Sequence, residues 1–145
     1  MLLMKKKSLL FGSILSFLIS IVHIGAILIG PAAYTYLDAP ELAVLAQTGS
    51  WIPAILTLCV ALVFGLFSLY ALSAINVVRK LPFISIIIPC IGVVYCLRGL
   101  AIIWFIWLVV TDSPHAIPRE IAFSFISLLV GSCYLVPSLI NKPKT

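Results

Sequence analysis

Apolar residues run in four long blocks along the chain, and polar residues collect in the short gaps between them. The blocks cover residues 9–30, 51–75, 82–110 and 121–140. Each can form a helix of the ~20 apolar residues needed to cross a hydrocarbon core. The pattern predicts an all-α integral membrane protein, an antiparallel bundle of four transmembrane helices in a single domain, 1–145.

The first gap is long enough for one more element. It contains D38-A-P-E41, where Asp38 could cap a helix, Pro40 could sit in its first turn and Glu41 could occupy the third position. Gly49 supplies a stop. A short helix over Ala39–Thr48 is therefore expected, with Leu42, Leu45 and Ala46 on one face, lying at the external membrane interface. The second gap, N76-V-V-R-K-L81, is short and implies a tight hairpin. In the third, T111-D-S-P-H-A-I-P-R119, Pro118 suits the first turn of the last span.

Charge adds direction. Lys5, Lys6, Lys7, Arg79, Lys80, Lys142 and Lys144 fall at one end of the spans. Asp38, Glu41, Asp112 and Glu120, the four acids, fall at the other. Basic flanks stay on the cytoplasmic side, so both termini are expected there, in a bacterial cytoplasmic (inner) membrane. Tyr34, Tyr36, Trp51, Trp104 and Trp107 gather near the opposite ends, where aromatic side chains anchor spans among headgroups.

Composition narrows the classes. The chain is 63% hydrophobic and 9% charged, against about 25% charged in a soluble domain. Its net charge of +5 follows the topology, so no nucleic-acid partner is expected. The opening M-L-L-M-K-K-K followed by apolar residues resembles a signal peptide, but the run continues to Gly30 and reads as a retained span. Cys59, Cys90, Cys96 and Cys133 all lie inside apolar runs and none forms C-x-x-C. A thiol oxidoreductase needs thiolates near water, so these cysteines read as packing residues.

Small residues recur at helical spacing in every span: Gly12, Ser16, Ser20 and His23; Ala54, Ala61, Gly65 and Ser68; Ser85, Pro89, Gly92, Cys96 and Gly99; Ser124, Ser127, Gly131, Tyr134 and Ser138. Such stripes let helix backbones approach where lipid provides no hydrophobic drive. Arg98 stands off the third stripe, about 160° from Cys96 at about 100° per residue. It shares its side with Ile91, Tyr95, Ile102 and Phe105. The third span then either has two working faces or aims Arg98 at a second neighbour.

A central arginine costs about 2.5–3.5 kcal/mol on insertion. With the spans drawn as above, no carboxylate lies inside any of them, so three partners come into question. Asp38 or Glu41 could fold in from the first gap, polar side chains and carbonyls could solvate the charge, or an anionic ligand could neutralise it.

Three functional readings follow. The first is a structural or accessory protein acting through helix contacts with itself, as a homodimer, or with a larger membrane complex. The second is a binding or transport module for a small anionic or amphiphilic molecule, with Arg98, Tyr95 and His23 lining a cavity and Asp38 and Glu41 at its lid. The third is a membrane enzyme with an acid–base site at the outer interface. No catalytic motif, metal-ligand cluster or cofactor signature accompanies them. The expected partner common to all three is the lipid bilayer.

Overall fold

The computed structural model describes residues 2–113 and 117–139. These form six helices: α1 (Leu2–Ile29), α2 (Pro31–Tyr36), α3 (Pro40–Gln47), α4 (Ile52–Ala74), α5 (Ile84–Val110) and α6 (Pro118–Leu139). No strand occurs among the described residues. The apolar segments of α1, α4, α5 and α6, 27, 23, 27 and 22 residues long, are each long and apolar enough to cross a membrane. The chain is an all-helical protein with the make-up of a multi-pass membrane protein. His115, Ile140, Lys142 and Lys144, used in the sequence reading, lie outside the described residues.

Three elements in the first half of the chain differ from expectation for local reasons. Helix α1 starts at Leu2, so Lys5, Lys6 and Lys7 are helical. Nothing in L2-L-M-K-K-K-S8 breaks a helix, and Leu, Met and Lys favour one. Helix α2, absent from the sequence reading, starts at Pro31 after Gly30 at φ 79°. Helix α3 falls inside the expected interval, but its cap is Ala39, not Asp38, and no side chain caps it. Asp38 instead ends α2. It adopts the left-handed conformation, φ 59°, while its N–H donates to the Thr35 carbonyl and the Ala39 N–H donates to that of Tyr34. This reciprocal pair is the Schellman stop. Asn76 after α4 and Asp112 after α5 repeat it residue for residue. Short Asp and Asn side chains tolerate the left-handed region better than other non-glycine residues. Gly49, at φ 78°, ends α3 as expected.

The chain divides into two compact units, Ile14–Ser68 and the combination of Met1–Ser13 with Leu69–Thr145. Helices α1 and α4 each contribute to both.

In the first unit, Tyr34 is buried at 3% exposure against Ala26 and Ala43, with Ala33, Leu37, Leu42 and Ala46 around them. Tyr34 is therefore a packing residue, whereas Tyr36 and Trp51 are exposed as membrane anchors require. The stripe of α1 is buried at Ser16 and Ser20, and the Ser20 hydroxyl donates to the Ala61 carbonyl of α4 at 2.7 Å.

The second unit is built on α5 and α6. A Cβ placed on Gly92 would meet Leu135, on Gly99 would meet Leu128, and on Gly131 would meet Cys96. Steps of four and three up α5 match steps of four and three down α6, so the pair is antiparallel and in register. The approach is backbone to backbone: the added Cβ at Gly99 would lie 2.5 Å from Leu128 Cγ and 2.7 Å from its nitrogen. Helix α1 joins α6 for a different reason. Pro137 has no N–H to donate to the carbonyl of Cys133 four residues earlier. The Ser8 hydroxyl donates to that carbonyl instead, at 3.1 Å.

Candidate functional site

Arg98 lies at the middle of α5 and finds its partners on α6. One terminal nitrogen, Nη2, donates to Glu120 Oε2 at 2.6 Å and the other, Nη1, donates to Ser124 Oγ at 3.0 Å. In the glycine register, Ser124 lies opposite residue 103, so the guanidinium extends along α5 toward its C-terminal end. The side chain of Arg98 remains 44% exposed and that of Glu120 only 4%.

Local sequence places both ends of this pair. Pro118 fits the first helical position, where its missing N–H costs nothing. It puts Glu120 in the first turn of α6, where the helix dipole favours a carboxylate. Ser124 follows one turn later on the same face. A span drawn from residue 121 had excluded Glu120. Helix α6 includes it, and this acid is the counter-ion for Arg98. The short distance and charge on both partners make this a strong hydrogen bond.

Arg98 thus does not address a second neighbour. The face of α5 packed in this unit is broad: Ile91, Gly92, Tyr95 and Gly99 are all buried. Tyr95 stacks on Tyr134 of α6 with ring centroids 6.0 Å apart. The guanidinium sits at the margin of the same seam.

The remaining candidates belong to the first unit. His23 of α1 has its Nδ1 2.8 Å from the Ile19 carbonyl and its ring 5.2 Å from that of Phe64 on α4. A carbonyl only accepts, so Nδ1 carries the hydrogen and donates it to Ile19. Asp38 and Glu41 are exposed, at the end of α2 and in the first turn of α3. Arg98 and Tyr95 are therefore grouped in one unit, and His23, Asp38 and Glu41 in the other.

Glu120 and Ser124 are the functional-site residues that sequence reasoning did not assign. Among the described residues, no three of His, Cys, Asp and Glu converge as a metal site would require. The four cysteines are free thiols. What the Arg98 cluster can do chemically is hold two helices together across an ionic, low-dielectric contact and present the rest of a guanidinium at its exposed side. Comparisons with known proteins return no matching family model, no matching curated protein and no matching solved structure.

Proposed function

We propose that this is an accessory protein of the bacterial cytoplasmic membrane, an antiparallel four-helix bundle with both termini cytoplasmic, which acts through helix contacts with a second copy or a larger membrane complex. The observation that carries the reading is the Arg98–Glu120 pair. An intramembrane arginine usually marks a ligand or ion path. Here the chain supplies its own counter-charge from the adjacent helix, which turns the residue into a lock on a helix hairpin. The orientation draws on the basic flanks. A cavity in the second unit, bordered by the start of α1, the end of α4, the start of α5 and the end of α6, supports an up-and-down arrangement. Helix α3, with Glu41 exposed and Ala43 buried, fits the external interface.

Cross-linking in native membranes tests the reading. Cys59 and Cys90 are exposed on α4 and α5 and accept a membrane-permeant bismaleimide. The expected result is a discrete product of defined higher mass that disappears in the Cys59→Ala/Cys90→Ala chain. A product pattern containing monomer alone would reject the accessory role. Reporter fusions at residue 145 test the orientation, a phosphatase staying inactive and a fluorescent protein bright.

A second reading is favoured by one observation, the exposure of the Arg98 side chain beside its buried acid. An anionic or amphiphilic ligand could reach the open side of the guanidinium from within the second unit. Loss of a bound species in Arg98→Leu, seen by native mass spectrometry, would support it. An identical set of bound species in both chains would remove it.

A further inference from the structure

The second unit contains a cavity of about 690 Å3, far from the charge pair along α5. Its wall carries Lys5, Lys80, Asn76 and Ser138, and its floor is apolar, with Leu9 and Ile88 both buried. No aspartate or glutamate lines it, and among the described residues neither lysine has a carboxylate partner. Two ammonium groups around one concavity, with no anion beside them among the described residues, make a site of one sign.

The position of Lys80 is built. Ser73, almost fully buried at the end of α4, donates its hydroxyl hydrogen to the Arg79 carbonyl at 3.0 Å and accepts the Leu81 N–H at 2.8 Å. These two bonds bracket Lys80 and fix its backbone at the rim. The stop at Asn76 fixes the other side of the same link. Lys5 is held by α1, one turn before Leu9. Two prolines, Pro89 and Pro137, border the cavity and leave the carbonyls four residues before them without a helical donor. The Cys133 carbonyl is taken by Ser8, while Ser85 itself lines the cavity.

We propose that this cavity binds the phosphate of an anionic phospholipid, with Lys5 and Lys80 on the phosphate and the apolar floor on the glycerol and upper acyl carbons. A volume of this size lies within the range of about 300–1,000 Å3 typical of ligand sites. Basic pockets between transmembrane helices on the cytoplasmic side are suited to acidic headgroups. The leaflet follows from the orientation proposed above. The binding itself does not depend on it and is read in detergent, so the two ideas can fail separately.

The experiment titrates the purified full chain in dodecyl maltoside with palmitoyl-oleoyl phosphatidylglycerol and counts adducts by native mass spectrometry. Palmitoyl-oleoyl phosphatidylcholine and inorganic phosphate are run beside it. The wild type is expected to retain one phosphatidylglycerol, with neither comparison ligand displacing it. Lys5→Gln/Lys80→Gln should bind about 30-fold more weakly, from about 1 kcal/mol for each of the two basic residues and tenfold per about 1.4 kcal/mol. Ser138→Phe, which keeps both lysines and fills the cavity, should lose the adduct too. Lys6→Gln/Lys7→Gln removes the same charge from exposed positions and should bind as the wild type does. Equal binding by the first variant and the wild type would overturn the proposal, as would an equal loss in the Lys6/Lys7 control. Competition by inorganic phosphate at matching concentration would replace the lipid with a free anion.

Discussion

The two units hold their helices together by different means. Between α5 and α6, backbones touch across glycine, and an ion pair closes one margin of the seam. Between α1 and α4 in the first unit, a serine hydroxyl meets a carbonyl, the His23 ring lies against Phe64, and a Cβ added at Gly65 would meet only Ser20 Oγ at an ordinary 3.6 Å. One interface is sterically saturated and the other has slack. In lipid, where apolar area gives helices no reason to associate, close packing and interhelical hydrogen bonds carry the specificity. The α5–α6 hairpin uses both to the limit, so it should be the rigid part of the chain.

The strongest way to break the comparison is to remove one charge. Glu120→Ala leaves the guanidinium without its counter-ion, and a buried pair broken this way costs about 3–5 kcal/mol. With Arg98 half exposed, about 2–3 kcal/mol is expected in reversible unfolding in mixed micelles. Arg98→Leu/Glu120→Leu should recover most of that loss. A double variant no more stable than the single one would show that the pair does more than cancel charge.

Next comes Gly99→Ala, whose methyl meets Leu128 backbone and should cost about 1–3 kcal/mol. Gly65→Ala should do the reverse and stabilise by about 0.5 kcal/mol, because alanine favours the helix and the space exists. Equal effects at the two glycines, measured in the same unfolding assay, would erase the distinction between the interfaces.

A subtler test concerns Ser8. Ser8→Ala should cost about 1 kcal/mol by orphaning the Cys133 carbonyl. In a Pro137→Ala chain the restored N–H takes that carbonyl, so the same serine substitution should become nearly silent. An undiminished penalty there would mean that Ser8 acts some other way. Smallest of the losses, Ser20→Ala should cost about 0.6 kcal/mol, the average for hydrogen bonds between membrane helices.

The long helices were readable because their signal is local: apolar length, and small residues at intervals of three and four. The same holds for Gly49, whose missing Cβ marks a left-handed stop. Helix α2 was hidden because the six residues Pro31–Tyr36 are too few for a period. Asp38 was misplaced because one side chain suits both the start of a helix and the end of another. Its neighbours Ala39 and Pro40 do not discriminate. Tyr34 was taken for an anchor because burial depends on Ala26 and Ala43, which are distant in sequence. The counter-ion of Arg98 was available in principle. Pro118 already marked a helix start two residues before Glu120, and the apolar run alone drew the boundary too late. Which helices face one another is a tertiary fact that no single-chain periodicity contains.

The pair also imposes an order on biosynthesis. Arg98 is made 22 residues before Glu120. At about 5–20 residues per second the cation precedes its partner by about one to four seconds. During that interval the nascent α5 holds an uncompensated charge. If chains cut before Pro118 integrate α5 as well with Arg98 as with leucine, this delay has no effect. Otherwise α5 and α6 enter the bilayer together, as one hairpin, and the second helix is the permit for the first.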